Sequence, residues 1–213
     1  MSKDINEKIK SGREYRNMYE VRAAEEAGLV EGYATTFNSP YMLFRMDNYE
    51  FWEQVDPMAF SETDMSDVIM QYDHEGRVFA RLSNETLKLD TDTHGLHVLA
   101  DLSGTEIGRQ LYEEIKGGYT NKMSFGFTVD KDERTTEEDK ETHVIKVMRT
   151  IKSIGKLYDV SAVSLPANDA TAISARTLGE GVIAQVEEEF RKEAEAIKRR
   201  NAQIAKIKRL SEV

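Results

Sequence analysis

NKMSFGFTVD, residues 121–130, has the alternation of a β-strand whose two faces differ sharply in size. Successive strand side chains point to opposite faces, so Met123, Phe125 and Phe127 form a bulky apolar row while Ser124, Gly126 and Thr128 form a small one. The bulky row predicts a core face. The small row has two explanations: it admits another backbone or side chain at close range, or it is open to a substrate with the Ser124 hydroxyl aimed at a carbonyl. Taken alone, the segment favours close packing.

Working outward, the β pattern continues on both sides. LVEGYATTFN from Leu29 has strand content and stops at the turn residues NSP; YEFWEQV is a second strand, followed by DPMAF as a helical turn with Asp56 capping and Pro57 in first position. DVIMQYDHEG alternates with Val68, Met70, Tyr72 and His74 on one side, which places His74 at a strand end just before Gly76. RVFARL, ETLKLD and GLHVLADL follow, the last two joined as a hairpin through TDTHG. SGTEIGRQLYEEIKGG predicts one internal helix, with Ser103 and Glu106 as a capping box and Ile107, Leu111 and Ile115 as its apolar stripe. DKDERTTEEDKET reads as a charged, exposed loop, and HVIKVMRTI and SIGKLYDVSAVSLPAND as strands beyond it.

Three segments are expected: a polar arm over residues 1–26, as weak helix or mobile chain; a mostly β domain over 27–177; and a charged amphipathic helical tail over 178–213. In the tail, Ile183, Phe190, Ile197 and Ile204 recur at heptad spacing, but Glu193 and Arg200 spoil the second seam of a coiled coil.

Composition narrows the function. The 213 residues carry a net charge of −10, which argues against nucleic-acid binding through phosphate contacts. The absence of cysteine removes disulfides, thiolate metal sites and cysteine nucleophiles together. With no run of about 18 apolar residues and no apolar stretch of a signal peptide near the N-terminus, a soluble intracellular protein and no membrane partner are expected. HExxH, GxxxxGK[ST], GxGxxG and GxSxG are all missing, so neither a metal nor a cofactor is called for.

Four histidines remain as candidate bases. His94, His97 and His143 fall in or beside turns and charged loops, where surface histidines are ordinary. His74 ends an apolar strand that would hold it rigidly, although a lone strand-end histidine is more often structural than catalytic. Asp159 adds weight, because it interrupts a strand among Leu157, Val163 and Leu165, and a buried carboxylate needs a partner. That partner is either the His74 imidazole or a lysine or arginine.

QYDHEG, KMSFGF and LYDVSAVSLPAN, in that order, together resemble the prohead proteases of tailed bacteriophages, and EGYATTFNSPY and FWEQVDPMAF fit the N-terminal half of that family. The resemblance covers about residues 28–176. It implies a serine endopeptidase related to the herpesvirus assemblins, with a mainly β fold with helices (α+β): a small closed β-barrel surrounded by helices, followed by the helical tail. Carried over, Ser124 is the nucleophile, His74 the general base and Asp159 the third member, where many relatives have glutamate and the herpesvirus enzymes a second histidine. An oxyanion-stabilising turn is expected near Pro166 to Asn168. The implied substrates are scaffold or the scaffolding segment of the major capsid protein, and the enzyme itself, cleaved inside the immature capsid in the host cytoplasm; a homodimer is implied by analogy. Two alternatives stay open on the residues: a non-enzymatic capsid assembly or scaffold-binding protein, and an unrelated β-barrel hydrolase.

Overall fold

Two long strands carry the architecture of the computed structural model, which describes residues 12–164 together with Glu188, Lys192 and Arg199. The strands are β1 (Glu14–Ala23), β2 (Leu29–Thr36), β3 (Tyr41–Met46), β4 (Tyr49–Val55), β5 (Ile69–Tyr72), β6 (Glu75–Arg81), β7 (Leu87–Thr91), β8 (Gly95–Asp101), β9 (Lys122–Glu138) and β10 (Ile145–Val163), with one helix, α1 (Glu106–Lys116). The chain divides into two compact units, Met1–Ala175 and Arg176–Val213, and the sheet belongs to the first. Apart from those three residues, the expected helical tail over 178–213 lies outside the described residues, as does the turn at Pro166 to Asn168.

β9 and β10, 17 and 19 residues long, pair antiparallel from Ile145↔Glu138 to Val163↔Lys122, with register shifts that let so long a ribbon bend. The stretch expected as a charged loop is thus largely the outer half of β9. Its charged side chains are no obstacle, since a strand exposed on one face places polar groups in water. β10 then takes two parallel partners along its length, β4 against Ile145–Ile151 and β5 against Asp159–Ala162. On the far side of β9 the order continues β1, β2, β8, β7.

Closure into a helix-surrounded barrel does not occur. The sheet runs β3-β4-β10-β9-β1-β2-β8-β7 and is open, with β3 and β7 at opposite edges, and α1 is the one α-helical element of more than isolated residues among the described residues. The reason lies in the length of β10: one of its sides is shared between β4 and β5, so β4 leads out to the edge strand β3 and not round to β7. The segment expected as an arm supplies β1, which pairs with β9 through residues 14–20 and with β2 through residues 21–23. Its alternation, with Tyr15, Tyr19, Val21 and Ala23 on one parity and Glu14, Arg16, Glu20 and Arg22 on the other, is the strand signal that the charged composition of the segment obscured.

The core lies on the bulky face of β9. Met123, Phe125 and Phe127 have no exposed surface, and the two phenyl rings stack at 4.4 Å. Met70, Val30, Leu96, Val98, Leu157 and Val160 join them. Helix α1 packs against β1, β2 and β6 through Leu111, Tyr112 and Ile115, with Ile107 half-buried. Its cap is Thr105, not Ser103: the extended backbone of Thr105 aims its hydroxyl oxygen to accept from Gly108 N at 3.0 Å, while the Ser103 N–H donates to Asp101 Oδ1.

One end of the interior is ionic. Arg16 on β1 donates through Nε to Glu53 Oε1 at 2.5 Å and through Nη2 to Oε2 at 2.8 Å, a bidentate pair with a fully buried carboxylate. Tyr41 donates to the same carboxylate at 2.5 Å, and Arg149 on β10 bonds Glu53, Glu14 and Asp132. The network ties β1, β3, β4, β9 and β10 together. Burial raises the Glu14 carboxyl, but the Arg16 and Arg149 guanidiniums outweigh it and lower the pKa from 4.5 to about 2. A depressed carboxylate pKa contributes stability that is present above the unfolded value and lost as pH falls through the folded one. Thermal or urea unfolding of the wild type should therefore lose on the order of 2 kcal/mol from this group between pH 4.5 and 2, and Glu14→Gln should remove that part of the slope.

Candidate functional site

The turn between β5 and β6 holds a histidine in an uncommon conformation. Tyr72 pairs with Glu75, leaving Asp73 and His74 as the two central residues of the hairpin with φ of 48° and 60°. Positive φ at both positions is the requirement of a type I′ turn, usually met by Asn-Gly. His74 is thus at a hairpin tip beyond the strand, not on the last strand position that the alternation predicted. Asp73 fastens the tip to the end of β10: its N–H donates to Ala162 O at 2.9 Å, and its carboxylate accepts from Ser164 N and Ser164 Oγ, each at 2.9 Å. These bonds hold His74 in a backbone region that costs a non-glycine residue on the order of 1 kcal/mol.

Register across the sheet assembles the rest. On β9 and β10, Ser124 lies opposite Ser161 and Gly126 opposite Asp159; on β1, Tyr15 lies opposite Gly126. All of these belong to the face away from Phe125 and Phe127. Into this face the hairpin tip delivers the imidazole: His74 Nε2 is 2.5 Å from Ser124 Oγ, and Nδ1 is 2.5 Å from Asp159 Oδ1. The three residues expected from sequence therefore meet in one hydrogen-bonded chain drawn from three separate segments. Each is at most 2% exposed.

The small face of β9 has a specific cause. A Cβ added at Gly126 would sit 2.5 Å from Asp159 Oδ2 and 2.7 Å from Tyr15 Cε1, so the notch at Gly126 is the space that those two side chains occupy. The Tyr15 ring also packs against the His74 ring at 4.3 Å between centroids. Both sequence explanations of the small row hold in part: Gly126 admits close packing, and Ser124 presents a hydroxyl to a base.

With Nδ1–H directed to the carboxylate, Nε2 of a neutral imidazole is left to accept the Ser124 proton. That arrangement is the donor and acceptor order of nucleophile, base and orienting acid. The other histidines take no part: His94 and His97 flank the Tyr33 ring, and His143 is exposed beside Glu138. Among the described residues, no group of three or more His, Asp and Glu side chains is placed to hold a metal ion, and no helix is long and apolar enough to cross a membrane.

Sequence reasoning missed Tyr15, Asp73 and Ser161. Ser161 was within reach, since it stands two residues after Asp159 on a strand and so shares its face; Tyr15 was within reach too, since Tyr15, Tyr19, Val21 and Ala23 share one parity.

A family model described as caudovirus prohead serine protease matches residues 17–184, a span that contains His74, Ser124 and Asp159. No curated protein and no solved structure matches the chain.

Gly126→Ala should displace the Asp159 carboxylate or Tyr15 and destabilise the fold by about 1–3 kcal/mol. The expected result is a protein that still folds, shown by circular dichroism, with reactivity at Ser124 reduced at least about tenfold, because a base held out of line loses much of its effect.

Proposed function

The chain belongs to the caudovirus prohead serine protease family, and from that premise we propose that it is a serine endopeptidase of capsid maturation in which Ser124 is the nucleophile, His74 the general base and Asp159 the residue that orients the base. The observation that supports these roles is the unbroken chain from Ser124 Oγ through both ring nitrogens of His74 to Asp159, with 2.5 Å at each link.

The reaction follows from the geometry. His74 Nε2 accepts the hydroxyl proton as Ser124 Oγ adds to the scissile carbonyl carbon, and the ionised Asp159 stabilises the imidazolium that forms. His74 then returns the proton to the leaving amine, the C–N bond breaks, and the acyl group stays on Ser124. Water, deprotonated by the same imidazole, adds to the acyl carbon, the C–Oγ bond breaks, and His74 returns the proton to Ser124 Oγ. All three side chains come from one chain.

Ser124 has no exposed surface in this conformation. A substrate strand or a small reagent therefore reaches it when local opening uncovers this face. Scaffold, or the scaffolding segment of the major capsid protein, is the proposed substrate, met inside the immature capsid in the host cytoplasm; the enzyme's own chain is a further one.

Co-expression with the capsid and scaffold proteins of the same phage tests this. Wild type should yield cleaved products, read by mass spectrometry, and Ser124→Ala and His74→Ala should lower their rate of appearance by at least about 10³-fold while leaving the circular dichroism spectrum unchanged. Full processing by Ser124→Ala would overturn the reading.

A further inference from the structure

Asp159 Oδ1 accepts two hydrogen bonds, one from His74 Nδ1 at 2.5 Å and one from Ser161 Oγ at 3.0 Å. Ser161 stands two residues further along β10, on the same face as Asp159 and opposite Ser124 in the β9–β10 ladder. Like Ser124 it is fully buried. A hydroxyl buried in such a place is costly without a partner, and its donation to a carboxylate is charge-assisted.

We propose that Ser161 is a positioning residue for the His74–Asp159 pair, a role that rests on the catalytic assignments above. The carboxylate of an aspartate turns easily about its terminal torsion, whose energy profile is broad and twofold. The hydroxyl of Ser161 selects the rotation that presents Oδ1 to the imidazole. Ser161 keeps its own proton throughout and touches neither substrate nor the reacting atoms; its effect reaches Ser124 through Asp159 and then His74. β10 thus supplies the orienting acid and the group that fixes that acid, both from the DVS tripeptide at residues 159–161.

The test uses the full chain and diisopropyl fluorophosphate, which forms an Oγ–P bond to an activated serine with loss of fluoride. Its labelling rate, read by intact-protein mass spectrometry, needs no knowledge of the peptide substrate. Wild type should label at Ser124, and Ser161→Ala should label about 10- to 100-fold more slowly, the range expected for loss of a hydrogen bond to a charged group. Ser161→Cys replaces the hydroxyl by a larger and weaker donor and should also slow labelling at least about fivefold. In an Asp159→Ala background, Ser161→Ala should cause no further slowing, because its effect passes through the missing carboxylate.

Wild-type labelling rates in both Ser161→Ala and Ser161→Cys would overturn the proposal while leaving the site assignment intact. So would a Ser161→Ala effect of undiminished size in the Asp159→Ala background. Labelling of Ser124→Ala as fast as the wild type would overturn the site assignment itself, and this proposal with it.

Discussion

The antiparallel pairing of β9 with β10 in one particular register is the constraint from which the rest follows. With Ser161 opposite Ser124 and Asp159 opposite Gly126, the Ser124 hydroxyl, the Asp159 carboxylate and the notch that admits it fall on one face, and Met123, Phe125 and Phe127 fall on the other. A slip of one residue would exchange the faces. It would bury Ser124 among the phenyl rings and turn Phe125 out, removing about 2 kcal/mol or more for each large side chain drawn from the core. Core packing and site assembly are thus enforced by the same set of hydrogen bonds, and the site inherits its precision from the hydrophobic effect.

Burial of the charged groups is handled in two ways. At the ionic end, Arg16 and Arg149 interleave with Glu14, Glu53 and Asp132, so that every carboxylate oxygen of the fully buried Glu53 accepts a charged donor or the Tyr41 hydroxyl. Such networks compensate desolvation more than they add stability, and removing one member leaves an uncompensated charge. Their larger contribution here is geometric, because they fasten β1 to β4 and β10 across the core. At the other end Asp159 accepts from the His74 ring and from Ser161 among the described residues.

How much was legible depended on how local each signal was. The alternation in residues 122–128 gave the core row directly, and the turn residues gave the β7–β8 hairpin. The capping residue of α1 was misplaced by two positions, since Ser103 and Thr105 both suit a cap and only the backbone at Thr105 selects between them. The loop expected at DKDERTTEE was instead strand, and the polar arm became β1, because long-range pairing supplies those segments with ladder partners that local composition does not report. The closed barrel implied by resemblance failed on the division of β10 between β4 and β5.

By itself the sequence excluded cysteine chemistry and, through period-two alternation, placed Ser124 opposite the bulky row, while the resemblance at QYDHEG, KMSFGF and LYDVSAVSLPAN implied His74 and Asp159 as its partners. Tertiary structure alone decided that they meet. Their separations of 50 and 85 residues are closed by strand register and by a hairpin tip with two positive φ angles, and these depend on contacts between segments far apart in the chain. For the same reason only the folded sheet could reveal that Gly126 makes room for Asp159 and Tyr15, and that Ser161 shares the acid.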